Sequence, residues 1–210
     1  MDIAADNAIV PPADAAPTLP LWRRVAEFAV RRRIHISLIV FVVLIGEDIV
    51  SGVEPHNLAK LGEHHATWGL GLVLGGLAIR SWAAGTLHKW AELTTVGPYA
   101  VVRHPLYIGS FLMMIGFCTI IDDGENIWFV TGPILAMYLA AILVEERKLA
   151  QRFPAEWAAY ADRTPRFLPR RLPSAAFGTW SPRQWYGNRE YQAVLASIAG
   201  LMALQLWQLA

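Results

Sequence analysis

The chain has 210 residues, 55% of them hydrophobic and 17% charged, with a formal net charge of +1. Soluble domains use about 45–50% apolar residues even with Gly counted, and about 25% charged ones, so an ordinary water-soluble domain and a disordered chain are both excluded. A single cysteine, Cys118, excludes an intrachain disulfide and a cysteine-based zinc site, and the near-neutral charge gives no global pull toward nucleic acid.

Residues 1–20 hold six Ala and four Pro without periodicity, which predicts a disordered tail. Residues 21–33 place Trp22, Val25, Phe28 and Ala29 at helical spacing among five arginines. That pattern predicts a basic interfacial helix on an anionic leaflet, or a solvated positive flank for the first apolar run. Acidic residues come after Gly46 where a signal peptide would carry small ones, so none is expected here.

Five apolar runs occupy the rest of the chain: Ile34–Gly46, Ala66–Ile79, Pro105–Ile121, Ile127–Val144 and Tyr191–Ala210. A span needs roughly 17–25 apolar residues. The last three runs reach that length. The first two reach it by taking in Glu47–Val53 and Arg80–Gly85, and otherwise suit buried or re-entrant helices. The expected fold is all-α, a polytopic membrane bundle of about five transmembrane helices. Lys and Arg alternate sharply between the connecting segments. Residues 1–33, 80–104 and 145–190 hold seventeen; residues 47–65 and 122–126 hold one, Lys60. The positive-inside rule therefore puts the N-terminus and the 80–104 and 145–190 segments in the cytoplasm. Trp22, Trp82, Trp90, Trp128, Trp180, Trp185 and Tyr186 sit near run ends, as interfacial aromatics do. Gly71 and Gly75, with Gly69 and Gly76 close by, predict close helix approach.

Two outer-side clusters receive ordinary readings. His64 and His65 are adjacent and point apart on a helix, so they make poor joint metal ligands. Asp122–Glu125 reads as a tight turn with too few spaced ligands for calcium. His35 reads as interfacial. No metal is expected. The segment from Glu145 opens as a helix continuing the fourth run. Pro154 interrupts it, and Pro165, Pro169, Pro173 and Pro182 make the remainder irregular.

Chemistry concentrates at two helix ends. In VGPYAVVRHPLYIG (Val96–Gly109), Gly97-Pro98 predicts a turn, and Pro105 fits the first helical position. The open N–H groups of Leu106 and Tyr107, beside Arg103 and His104, form a natural anion site, or simply anchor headgroups. Glu145 and Glu146 end the fourth run on the same side, suited to a cation or sugar hydroxyls, or to a solvated helix end. The third and fourth runs are joined by a short outer loop, which brings the two patches together. An anion site facing a carboxylate pair suits a zwitterionic ligand.

RHPLYIG, preceded by GPY and followed about forty residues later by EERKL, F, W, Y and PRFLP, resembles the isoprenylcysteine carboxyl methyltransferase and phospholipid methyltransferase family. Arg80–Leu87 is also similar to the segment before that motif, and the likeness covers roughly Leu77–Pro169. It implies packed membrane helices with a cytoplasmic pocket for S-adenosylmethionine. By carry-over, Gly97, Pro98, Tyr99, Arg103, His104, Pro105, Tyr107 and Gly109 would build one wall. Glu145, Glu146 and Leu149 would form the other, and Phe153, Trp157, Tyr160 and Arg166 would cover it. The resemblance puts Arg103, Glu146 and Arg166 forward as catalytic. Arg103 or His104 would take the donor carboxylate or adenine edge, and Glu145 or Glu146 the ammonium or ribose. The core would run from 34 to 190.

The chain departs from the family at Pro154 and Trp157 and in its additional helix at 191–210, a fifth span or a contact in a homo-oligomer. The acceptor would be lipophilic, entering between helices: an isoprenylcysteine-like carboxylate, a lipid amine or a thiol. A carboxylate is already ionised, whereas a thiol or lipid ammonium needs a base, with Glu145, Glu146, His88 and His104 available. The alternatives are an NADPH-dependent membrane reductase of the sterol-reductase type and a non-catalytic scaffold. The expected setting is a bacterial inner membrane.

Overall fold

The computed structural model describes residues 39–40, 42–58, 63–89, 91–121, 124–178 and 180–209. The expected tail and basic helix, with Trp22, His35 and Trp90, lie outside the described residues, as do Asp122 and Asp123 of the expected outer turn. The described chain is helical without a strand. Helix α1 covers residues 42–50. Then come α2 (His64–Thr86), a 3-10 turn at Gly97–Ala100, α3 (Pro105–Ile121) and α4 (Gly124–Phe129). After α4 a π segment (Val130–Ile134) leads into α5 (Leu135–Arg152), followed by α6 (Pro154–Arg163), α7 (Pro182–Gly187) and α8 (Glu190–Leu209).

Two of these stretches have the length and apolarity of a span: Gly124–Arg152 and Glu190–Leu209. Pro105–Ile121 is apolar but shorter, and α2 has the length with less apolarity. The rod from Gly124 to Arg152 is 29 residues long. At 1.5 Å per residue it extends about 43 Å, which exceeds a hydrocarbon core of about 30 Å. Its last two turns, which carry Glu145 and Glu146, can therefore stand in the headgroup region. Pro133 lies inside the π segment. Proline has no N–H to give, and the wider turn absorbs the missing bond, with Leu135 N–H donating to Val130 and Gly132 carbonyls.

The antiparallel pair α2 and α3 is the frame of the molecule, and glycines let it close. A Cβ on Gly69 would lie 2.8 Å from the Gly116 carbonyl oxygen, and one on Gly76 would lie 2.5 Å from that of Gly109. The clash is reciprocal from Gly109 and Gly116. Two seven-residue glycine steps thus face each other and bring backbone against backbone. Gly71 and Gly75 have nothing within 4 Å. The expected glycine approach exists, but on the other face of the helix.

Helix α3 also packs its far half on both sides. Ile120 and Ile121 meet Val73 and Leu204, and Cys118 meets Val130 and Ile134. Through Leu204, and through Gly200 against Phe117, helix α8 packs on the bundle of its own chain. Its other face leaves Leu195, Ile198, Met202, Leu206 and Leu209 exposed, as lipid contact requires. At the end of α2 the last carbonyls are taken by the C-terminal segment. Asn188 Nδ2 donates to Ala84 and Leu87, Ser181 N–H to Gly85, and Trp180 Nε1 to Ser81. Glu190 pairs with Arg80 through two contacts of 2.8 and 2.9 Å, and the Arg80 guanidinium also donates to Ser110.

Candidate active site

The α2 end, the α3 start and the α5 end converge. Gly97 holds φ +62°, a conformation open to glycine at little cost, and a Cβ there would strike Thr86 at 2.7 Å. The tight turn after it buries Tyr99, and Val102 N–H bonds the Pro98 carbonyl. Arg103 and His104 then emerge just ahead of Pro105, the first residue of α3. Pro154 starts α6 where the chain turns at Phe153. Tyr160 of α6 reaches back to donate to the Tyr99 carbonyl at 2.8 Å. Burial pushes both tyrosine phenols up, so Tyr160 stays a neutral donor.

Glu146 is the centre of an ion cage. Its carboxylate takes Arg103 Nη1 at 2.9 Å, His104 Nε2 at 3.0 Å and Arg166 Nη2 at 2.7 Å. A carboxylate can only accept, so His104 carries its proton on Nε2. Burial lowers the His104 pKa from its ordinary value, against the raising effect of the Glu146 hydrogen bond. Burial wins because His104 is 4% exposed, and the ring is a neutral donor at physiological pH. The Glu146 bond raises the Arg166 pKa further. The cage is closed from above by the Arg103 N–H, which donates to the Pro165 carbonyl at 2.8 Å, and by Trp157, whose ring lies 5.8 Å from the Arg103 guanidinium.

Beside the cage lies a cavity of about 250 Å³. Of the residues singled out from sequence, His88, Tyr99, Arg103, His104, Leu106, Tyr107, Glu145, Leu149, Trp157 and Tyr160 line it. Gly97, Pro105, Glu146 and Arg166 do not; they shape the turn, begin the helix and hold the cage. Glu145 accepts from the Tyr107 hydroxyl at 2.9 Å, and Tyr107 stands edge-on to Tyr138 at 5.5 Å. The cavity thus has the carboxylates of Glu92 and Glu145, the cations of Arg80, Lys89 and Arg103, and aromatic faces around one space.

Beyond His88 and the end of the Arg80–Leu87 segment, sequence reading missed the opposite wall. Residues 87–89 and 92–94 line the cavity, tied together by the His88 N–H bond to Thr94 Oγ1 at 3.0 Å, with His88 Nδ1 3.2 Å from a Glu92 carboxylate oxygen. Arg80, Ser110 and Tyr138 also line it. Spacing could have found the last two. Ser110 is one turn beyond Tyr107, and Tyr138 is two turns before Glu145, on the same helix faces. Among the described residues no three His, Cys, Asp or Glu side chains gather to hold a metal ion.

Residues 65–156 match the family described as phospholipid methyltransferase. A nickel-cobalt-cadmium resistance protein of Alcaligenes xylosoxydans xylosoxydans is 34% identical over 167 residues, 78% of this chain and 75% of that protein. A cobalt-zinc-cadmium resistance protein of Cupriavidus metallidurans is 35% identical over 138 residues, 59% of this chain and 63% of that protein. No solved structure matches the chain. The chain belongs to the phospholipid methyltransferase family. Its matched segment runs from the start of α2 into α6 and contains every residue lining the cavity except Trp157 and Tyr160.

Proposed function

We propose that the chain is an S-adenosylmethionine-dependent methyltransferase of the membrane that acts on a lipophilic acceptor from a cytoplasmic site within a five-span bundle. The observation that carries this reading is the pairing of opposite charges across one cavity: Glu145 on α5 and Arg103 before α3 both face it. A zwitterion with an aromatic base suits that lining, which adds Tyr99, Tyr107 and Tyr138 as flat apolar surfaces. Arg103 or His104 would hold the donor carboxylate or adenine edge, and Glu145 the ammonium or ribose. Once bound, the donor supplies a methyl group on a sulfonium that is already activated.

The chain's own work is then alignment and exclusion of water, which can contribute up to about 7–11 kcal/mol to lowering a barrier. Glu146 acts by holding Arg103 and His104 in place, with Arg166 as its clamp. An acceptor carboxylate needs no base. A thiol or a lipid amine does, and that role falls to Glu145, because Glu146 is engaged by three cage partners. The acceptor enters sideways, since the helices around the cavity present apolar faces to lipid. Kinship with two proteins named for metal resistance gives the reaction a setting, growth in the presence of nickel, cobalt or cadmium.

Membranes containing the protein, incubated with methyl-labelled S-adenosylmethionine, should transfer label to a lipid-extractable product. Base-labile label would identify an ester. Binding of labelled NADPH in place of the methyl donor would overturn the proposal in favour of a reductase. Binding of neither, with full rescue of a deletion strain by Glu145→Gln, would favour a scaffold.

A further inference from the structure

The segment from Arg163 to Arg189 lies beyond the family match and has no part in the cavity. It contains six arginines and no Asp or Glu. All six, Arg163, Arg166, Arg170, Arg171, Arg183 and Arg189, are exposed. Arg166 is committed to Glu146. Among the described residues no ion pair joins the other five to a carboxylate. Interleaved with them are large apolar side chains that also face outward: Leu168 at 81% exposure, Leu172 at 63%, Phe177 at 78%, Trp180 at 47% and Tyr186 at 66%.

Water gives no reason for this alternation. A solvated basic loop would not keep five large apolar groups exposed, and arginines with no carboxylate among them suit an anionic surface. The place of the segment in the fold supplies the reason. Its first part is bonded to Arg103 and Glu146, at the start of α3 and the end of α5. Its last part is bonded to Ser81, Ala84 and Gly85, at the end of α2. It therefore runs as a strap across one end of the helices, at the depth where a bilayer's headgroups begin.

We propose that this strap docks on the anionic phospholipid surface of the inner leaflet, its arginines on lipid phosphates and Leu168, Leu172 and Phe177 among the upper acyl chains. Basic and apolar groups binding together at a headgroup surface is the chemistry that fits both halves of the pattern. The inference stands apart from the methyl-transfer reading, because it needs no ligand in the cavity.

The full chain is placed in nanodiscs of phosphatidylcholine alone or of phosphatidylcholine mixed with phosphatidylglycerol. Trypsin cleavage after Arg170 and Arg171 should slow by about tenfold or more in the anionic discs, and high salt should restore it. Phe177→Cys accepts a solvent-sensitive fluorophore while Cys118 stays buried. Its emission should shift to the blue in anionic discs. Adding Arg170→Gln and Arg171→Gln should abolish that shift. Equal cleavage and equal emission in the two compositions would overturn the proposal and leave a second copy or an acidic soluble partner as the occupant. A blue shift undiminished by the arginine substitutions would overturn the role given to charge.

Discussion

Glu145 and Glu146 are neighbours in sequence that serve two different regions of the molecule. Glu146 sits in a cage of Arg103, His104 and Arg166 and is 8% exposed. Glu145 faces the adjoining cavity with the Tyr107 hydroxyl at 2.9 Å. Successive residues on a helix point about 100° apart, so one more position along α5 exchanges one environment for the other. The cage is nearly saturated and holds three chain segments together: the turn before α3, α5 and the 164–167 stretch. The cavity keeps polar atoms facing a space. A carboxylate pair at a helix end need not act as a pair. One member can hold the wall while the other meets the ligand.

The cage gives the largest expected effect. Glu146→Gln removes the charge that Arg103 and Arg166 share. Breaking a buried pair costs about 3–5 kcal/mol, and the half-exposed Arg166 places this one near 3 kcal/mol. Thermal unfolding in detergent should fall by several degrees, and donor binding should be lost with it. A stable Glu146→Gln protein with normal binding would dissolve the distinction between the two regions. Next comes Glu145→Gln, which should leave unfolding within error of the wild type and lower turnover by about 100-fold, at the low end for a positioned acid or base. A drop in stability as large as that of Glu146→Gln would show that both carboxylates are structural.

Much of this division is hidden in the sequence, for a physical reason. The two helix ends, the Gly97 turn, Pro105 at the first position of α3 and the break at Phe153–Pro154 are local features, and each occurs where local chemistry requires. Arg103, His104 and Tyr107 are legible from their place at the α3 start. Long-range register is not local. Nothing near Gly71 or Gly75 says that Gly69 and Gly76 face α3 instead; that depends on Gly109 and Gly116 from the partner helix. Likewise, Glu146 looks like a ligand group in the sequence because the approach of Arg166, 20 residues on, depends on the path of the chain through α6. The wall at 87–89 and 92–94 has no periodicity and is held by the local bond from His88 N–H to Thr94, so pattern reading finds only His88 there. The C-terminal helix reads as an addition. Its Glu190 turns out to be the buried partner of Arg80, a charge the sequence shows within α2 but cannot pair.

Two smaller effects sharpen the comparison. His104 is held neutral by burial, with a pKa below its ordinary 6.5. The unfolded chain takes up a proton at about 6.5 and the folded one does so only lower. The stability contribution is therefore complete above 6.5 and is lost as pH falls through the folded value. Unfolding temperature should decline below pH 6.5, and His104→Asn, whose amide can still donate to Glu146, should flatten that decline. A profile unchanged by the substitution would place the titration elsewhere. The smallest effect belongs to Tyr107→Phe. It removes the hydroxyl bonded to Glu145 but keeps the ring packed on Tyr138 and on His104, 5.5 and 5.8 Å away. A hydrogen bond to a charged group contributes about 1.5–3 kcal/mol, and partial exposure puts this one at the low end, so turnover should fall by about tenfold and the unfolding temperature by less than for Glu146→Gln. Turnover equal to that of the wild type would show that Glu145 works without this hydroxyl.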